Sequence, residues 1–304
     1  MRRVKISLPA TVTNLGPGLN SLGLAVGLRM TVEFLDRTDD QLVVEPLGEG
    51  AGRYAIGLRH PVVLGMMRLF QHLERAPSGI TIRIDNAIPL GSGLGGEAAF
   101  LVAGVIGANN LLGNPLTRDA MIRFAVDVSR RPDHTVTAIL GGLTASSYEN
   151  NQLQYARLPI EAGQVVIIVP DLPQYAAQAR AVLPPTVTLS DALRNIASVP
   201  LLIDALRRGD HKLLRGALTD HLIAPTRLAS IPGISEVIDV ALHNNATGVV
   251  LCGTGPSLIA FAPRDHKPIA DAMIAVFADH SIPSRAWVIP LDTQGIVLSA
   301  AQST

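Results

Sequence analysis

The run Pro89-Leu90-Gly91-Ser92-Gly93-Leu94-Gly95-Gly96-Glu97-Ala98-Ala99 sets four glycines directly before an apolar stretch. Glycine lets the backbone approach a charged group closely, so the N–H groups of such a turn can wrap an anion. The positive end of a following helix adds to the attraction. The same residues would also serve a tight strand-to-helix turn that binds nothing, and the spacing leaves both readings open. Gly91, Gly93 and Gly96 satisfy G-x-G-x-x-G. A dinucleotide site, however, needs a buried parallel strand before the loop and an acid about 20 positions after it. Ile80 to Asp85 instead alternates, as a strand with one wet face does, and no suitable acid closes a second strand. No Lys-Ser or Lys-Thr follows the glycines, which excludes a Walker A loop. The eight histidines are dispersed without H-x-x-x-H or H-E-x-x-H spacing, and no G-x-S-x-G elbow occurs, so neither a zinc hydrolase nor an α/β-hydrolase is indicated.

The elements that must position this loop follow from periodicity. Lys5 to Leu8 alternates and leads into the turn-rich Asn14 to Ser21, followed by extended segments at Leu22 to Phe34 and Leu42 to Val44. Pro61 to Leu73 has helical spacing with Pro in the first turn, where its missing N–H costs nothing. An apolar helix is predicted from Gly96 to Leu112, a second over Thr117 to Val128, and a third from Asp133 to the Gly141-Gly142 stop. Short strands carry the chain through Tyr155 to Val169. Further helices are predicted near 176–183, 189–208, 212–223, 234–243 and 268–278. A strand over Val249 to Cys252 runs into Gly253-Thr254-Gly255-Pro256-Ser257. The whole reads as α+β in two lobes, 1–155 and 156–304.

Composition bounds the chemistry. The chain has 304 residues, 48% hydrophobic and 16% charged, which excludes intrinsic disorder. Its apolar stretches are broken well short of the roughly 18 residues a membrane span requires. Lys plus Arg equals Asp plus Glu at 25 each, with no basic stripe, so a nucleic-acid partner is not expected. Aromatic residues are only 4%, which leaves few stacking platforms for bases or sugars and favours main-chain recognition of anions. Cys252 is the one cysteine, which excludes an intrachain disulfide and a Cys-rich zinc site; it reads as a small core residue. No apolar signal-like segment follows Arg2 and Arg3, and a soluble, cytoplasmic protein without a membrane partner is expected.

The order of several blocks carries a resemblance. Pro89 to Ala99 is similar to the P-x-x-x-G-L-G-S-S-A-A phosphate loop of the GHMP kinases. Ala10 to Ala25, A-T-V-T-N-L-G-P-G-L-N-S-L-G-L-A, resembles the N-terminal signature of the homoserine kinase family within that group. Pro132-Asp133-His134 with Ala138 to Gly142 resembles its H-P-D-N…A-L-L-G-G segment. Ala179 to Pro184 and Gly253 to Ser257 resemble two later blocks, in the correct order. The resemblance implies a two-domain GHMP kinase fold: a ribosomal-protein-S5-like N-terminal domain, a ferredoxin-like C-terminal domain and the active site between them. It further implies ATP-dependent phosphorylation of the L-homoserine hydroxyl with Mg²⁺, a small-molecule substrate and a homodimer.

Carried over residue by residue, the resemblance places Pro89, Gly91, Ser92, Gly93, Leu94, Gly95, Gly96 and Glu97 around the nucleotide phosphates. His60 falls where an asparagine near the adenine is expected. Asn14, Asn20, Arg180, Arg227 and Gly255 fall in the substrate region, the two arginines as a carboxylate clamp suited to bidentate binding. Several positions depart from the family. Asn20 replaces an aspartate that meets the substrate amine, and can accept a hydrogen bond but supplies no charge. Gly96 and Glu97 replace two serines, one of which helps to hold magnesium. Glu97 is then either a compensating magnesium ligand or a plain first-turn acid. Asp127 falls where the magnesium-binding glutamate is expected. Arg131 and His134 replace His and Asn: Arg131 would add positive charge near the phosphates, and His134 is a candidate base or a structural residue. Ala176 replaces a threonine. These departures leave open a changed acceptor, a small alcohol or hydroxy acid, and also a nucleotide-binding relative without turnover.

Overall fold

The computed structural model describes residues 2–172, Tyr175, Ala179 and 184–302. Alternation of apolar and polar residues builds the first sheet. Strands β1 (Arg2–Asn14) and β2 (Gly18–Arg37) form a long antiparallel hairpin whose inward side chains, from Val4 to Phe34, are fully buried. Beyond β2 lie β4 (Gly79–Asn86) and then β3 (Leu42–Gly48), which pairs with β4 in parallel. Strand β5 (Leu143–Glu149) pairs with the hairpin end of β2 and with β6 (Gln152–Leu158). The alternation of Ile80 to Asp85 is borne out: the apolar side chains are buried while Arg83 and Asp85 face solvent.

Four helices pack with this sheet: α1 (Pro61–Leu73), α2 (Gly96–Leu111), α3 (Arg118–Ser129) and α4 (Pro132–Leu140). Their predicted spans agree to within one or two residues. α2 is apolar all round and nearly all its residues are buried, so it is the central helix of the lobe. His60 and Thr117 cap α1 and α3.

The second lobe is a four-stranded antiparallel sheet in the order β10-β7-β9-β8, from β7 (Gln164–Pro170), β8 (Gly248–Leu251), β9 (Leu258–Phe261) and β10 (Ser284–Pro290). Numbered within the lobe this is 4-1-3-2, the order of a ferredoxin-like sheet, with helices in both crossovers. These are α5 (Leu189–Arg208), α6 (His211–Ala217), α7 (Ala224–Leu228), α8 (Ile234–His243) and α9 (His266–Asp279). The helix predicted over 212–223 ends early: α6 stops at Ala217, and α7 begins only at Ala224. Asp220 breaks it: its carboxylate accepts from the backbone N–H groups of Leu222, Ile223 and Ala224 and starts α7 afresh. The helix predicted over 176–183, with Arg180 and Ala176 on it, lies outside the described residues except for Ala179.

The chain ends where it began. β11 (Val297–Gln302), which periodicity does not single out, returns to the first sheet beside β1. Arg29 secures the return by binding Asp292 and the Gly295 carbonyl. The boundary expected at 155/156 thus falls inside β6, and residues 297–302 rejoin the first lobe. No helix among the described residues is long and apolar enough to cross a membrane.

Candidate active site

The glycine loop is pinned through its carbonyls and left open through its N–H groups. Leu94 O accepts from Thr11 N at 3.0 Å, in β1, and Ser92 O accepts from Ser257 N at 3.1 Å, in the turn after β8. No acceptor among the described residues takes the N–H groups of Gly93 to Glu97, and Gly95, the N-cap of α2, offers no side-chain cap. Unpaired N–H groups at a helix start, in a loop held by both lobes, form an anion cradle. The glycines allow this packing. At Gly93 (φ 93°) a Cβ would stand 2.0 Å from Cys252 O, and at Gly95 (φ 76°) one would stand 2.1 Å from Thr11 Oγ1.

Beside the loop, the β1–β2 hairpin turns through three consecutive left-handed residues, Asn14, Leu15 and Gly16. Leu15 is fully buried at φ 47°, a conformation that costs a non-glycine roughly 1–2 kcal/mol. The turn is held by the second lobe: Gly253 N donates to Thr13 O at 3.0 Å, and Asn14 Nδ2 donates to Gly253 O at 2.7 Å. Asn14 Oδ1 accepts from Asn20 N at 3.1 Å, while the exposed Asn20 side chain makes no hydrogen bond to a described residue.

His134, near the start of α4, lies under this junction. Its Nδ1 is 2.7 Å from Thr11 Oγ1 and its Nε2 is 3.3 Å from Thr13 Oγ1. Burial, aided by the Arg131 charge and opposed by Asp133, holds its pKa below the ordinary imidazole value, so the ring is neutral at pH 7. Arg131 is exposed at the N-cap of α4.

A cavity of about 390 Å³ opens from the same junction, with Asn14 and Gly253 at one side and Arg227 of α7 in its wall. Arg227 is 5% exposed, its Nε has no partner among the described residues, and burial pulls its pKa down. The backbone under it is fixed by Tyr175, whose Oη donates to Arg227 O at 2.9 Å. Burial pushes the Tyr175 phenol up to about 12. A buried cation beside a cavity is a site for a carboxylate. Among the described residues Asp220 is the one acid lining that space, and its oxygens already accept from Asn195 and three backbone N–H groups.

Comparison with known proteins agrees with this geometry. The profile of the GHMP kinases N terminal domain matches residues 61–142, and that of the GHMP kinases C terminal domain matches residues 202–279. The chain belongs to the GHMP kinases. It is 32% identical to a homoserine kinase from Carboxydothermus hydrogenoformans over 92% of this chain and 91% of that one. It is 34% identical to a homoserine kinase from Moorella thermoacetica, over 90% and 92%. A crystal structure of homoserine kinase from Cytophaga hutchinsonii superposes with a TM-score of 0.88 at 28% identity, covering 98% of this chain and 97% of that one. Members of the family transfer a phosphoryl group from ATP to an alcohol, and this chain is such a kinase.

Within that kinase fold, several expected site residues have other partners. Glu97, 54% exposed, faces Arg53 at 3.6 Å and Tyr54 Oη at 3.5 Å. Asp127 sits on the exposed side of α3 and accepts from Tyr148 Oη on β5. The two carboxylates share no contact, and among the described residues no group of three or more His, Cys, Asp or Glu is placed to hold a metal ion. In the ligand-free chain Glu97 and Asp127 thus have different partners. His60 is a cap: its Nδ1 accepts from Val62 N, its ring packs edge-on against Tyr54 and Phe100, and it is 2% exposed. Burial lowers its pKa as well. Gly255 uses its N–H inside its own turn, donating to Cys252 O at 2.8 Å, and packs against Tyr175, so it offers no free donor to a ligand. Arg180 lies outside the described residues.

Sequence reasoning missed Thr11, Thr13 and Arg53. The threonines stand in the quoted A-T-V-T-N block, where two polar residues alternating with buried apolar ones signal a strand face that meets something polar. Arg53 had no such signal, because its position over the loop comes from the path of the β3–α1 connection.

Proposed function

We propose that this GHMP kinase phosphorylates the side-chain hydroxyl of L-homoserine with ATP. The observation that carries the reading is the juxtaposition of an open N–H cradle with a buried arginine, across the Asn14–Gly253 hydrogen bond. One site suits phosphates, the other a carboxylate, and a small amino acid spans the gap. The relatives named homoserine kinase, matched over nine-tenths of the chain, support the same acceptor.

Phosphoryl transfer passes through a loose transition state in which positioning and charge neutralisation dominate. The N–H groups of Gly93 to Glu97 bind the nucleotide phosphates, and Arg131 contributes positive charge near them. Arg227 orients the acceptor through its carboxylate, and Asn14 and Asn20 line its approach. His134 has both ring nitrogens committed to Thr11 and Thr13. It acts as a positioning residue that props the loop on β1. Magnesium arrives with the nucleotide as part of the substrate, and no step depends on a protein-held ion.

A second acceptor class is favoured by one observation. The cavity wall holds a buried cation, but its one described acid is already satisfied by four hydrogen bonds. A hydroxy acid without an ammonium group would suit those walls equally. Steady-state ADP release with Mg-ATP decides between them: L-homoserine is the expected acceptor, with a higher kcat/KM than the matched 4-hydroxy acid. Preference for the hydroxy acid would move the assignment to that class, and ATP binding without turnover on either would end the proposal.

A further inference from the structure

Of the four glycines in the loop, Gly91 alone has open space above it. A Cβ there would meet only the guanidinium of Arg53, with Nη1 at 3.4 Å and Nη2 at 3.8 Å. Gly93, Gly95 and Gly96 are closed by packed atoms at 2.0–2.6 Å. Arg53 thus hangs over the open end of the phosphate loop. It also lines the inter-lobe groove of about 550 Å³ that runs past Pro89 to Ser92. The other arginine of that groove, Arg285, is committed to Glu49 and stacked over Trp287. Among the described residues Arg53 has one weak tether, Glu97, at 3.6 Å with both side chains about half exposed. Such an exposed, single-point pair is easily exchanged.

Glu97 is awkward in a phosphate loop. It stands in the first turn of α2, where the helix dipole suits a carboxylate, but where a phosphate would come as close. Arg53 relieves that conflict from the open side of the loop. Guanidinium forks bind phosphate in two-point geometry and keep their charge throughout.

We propose that Arg53 is a nucleotide-phosphate contact of this enzyme, held ready by Glu97 in the free protein and transferred from that carboxylate to the phosphates when nucleotide enters. The proposal rests on the glycine loop being the nucleotide site and adds a residue and an exchange to it. The pair replaces no part of the backbone cradle; it supplies mobile charge where the loop carries a carboxylate.

The test is ADP affinity by titration calorimetry, with no acceptor present, on the full chain. Arg53→Ala is expected to weaken ADP tenfold or more, and Arg53→Lys less, since it keeps the charge but loses the fork. Glu97→Gln is expected to tighten ADP severalfold by releasing Arg53. Arg53→Ala must still weaken ADP about tenfold in the Glu97→Gln background. Both side chains are exposed, so each variant is expected to melt with the parent. In turnover the Arg53→Ala effect should appear in KM for ATP, with KM for the acceptor unchanged. ADP affinity within twofold of the parent for Arg53→Ala would overturn the proposal. So would disappearance of its effect once Glu97 is neutral, which would make Arg53 a screen for Glu97 and no ligand contact. Failure of the parent chain to bind ADP at millimolar concentration is a different result, and would remove the nucleotide reading of the loop itself.

Discussion

Two regions proposed to bind anions meet at Gly253, and they are built in opposite ways. The glycine loop binds through main-chain donors, and the hydrogen bonds that aim them come from strand β1 on one side and from the Gly253–Ser257 turn on the other. The proposed acceptor cavity relies on side chains instead, with Arg227 as its buried cation and Arg215 also in a largely apolar wall. The difference bears on tolerance. A backbone cradle survives replacement of neighbouring side chains, so Gly96 and Glu97 can stand where serines are expected and the N–H groups keep their places. A side-chain site has no such reserve, because removing one guanidinium removes that contact outright.

The comparison is broken most severely at Gly93. Gly93→Ala forces a Cβ to within 2.0 Å of the Cys252 carbonyl, and a backbone atom of the opposite lobe cannot step aside as a side-chain tip can. Turnover should fall below detection, with a melting temperature several degrees lower by thermal unfolding. Gly91→Ala is the internal control: its φ of 72° carries the left-handed cost of roughly 1–2 kcal/mol, but only the Arg53 tip lies nearby. It should remain folded and active. Equal damage from both substitutions would mean that loop conformation, and not the contact between lobes, is what matters.

Arg227 should give the next largest effect, with a different signature. Hydrogen bonds to charged groups are worth about 1.5–3 kcal/mol, or roughly ten- to a hundredfold in binding. Arg227→Met should therefore raise KM for the acceptor by that factor and leave KM for ATP alone. Stability should not fall, since a buried cation with an unpartnered Nε costs folding free energy that a methionine of similar length does not. A lower melting temperature with unchanged KM would make Arg227 a structural residue.

Legibility in the sequence divides along the same line. Glycine spacing and strand alternation announce main-chain devices, so the loop, α1 to α4 and the two-lobe order could be read directly. Side-chain positions depend on long-range packing and could not. That Glu97 faces Arg53 and Tyr54, and Asp127 faces Tyr148, could not be read from the chain. His60 illustrates the point: one histidine before a proline is equally a ligand or a cap, and only the ring contacts with Tyr54 and Phe100 decide. The missed β11 is a case of topology, since Val297 to Gln302 has too little pattern to declare its partner, Arg2 to Ser7, at the other end of the chain.

A smaller effect is expected from pH, and it tests how the loop is propped. His134 is buried neutral, so its folded pKa lies below the unfolded value of 6.5. The unfolded chain therefore binds the proton first as pH falls. The stability that goes with the neutral ring is complete above pH 6.5 and is lost progressively below it, down to the folded pKa. His60 and His211, both lowered by burial, act in the same direction. The melting temperature should drop between pH 7 and pH 5, and His134→Asn, which keeps hydrogen-bonding capacity without a titrating group, should make that drop shallower. An unchanged slope would assign the acid sensitivity to the other two histidines.

The smallest effect belongs to Asp127, and its smallness is the point. The carboxylate is exposed on α3 and its recorded partner is Tyr148, whose pKa the hydrogen bond raises. An amide in its place can still accept from the phenol, and exposed substitutions away from such sites usually change stability by less than about 0.5 kcal/mol. Asp127→Asn should hold kcat/KM within about twofold and leave the magnesium-concentration dependence superimposable on the parent. If that dependence shifted to higher magnesium, the carboxylate would have to reach the nucleotide in the complex, and the nucleotide site would extend to α3.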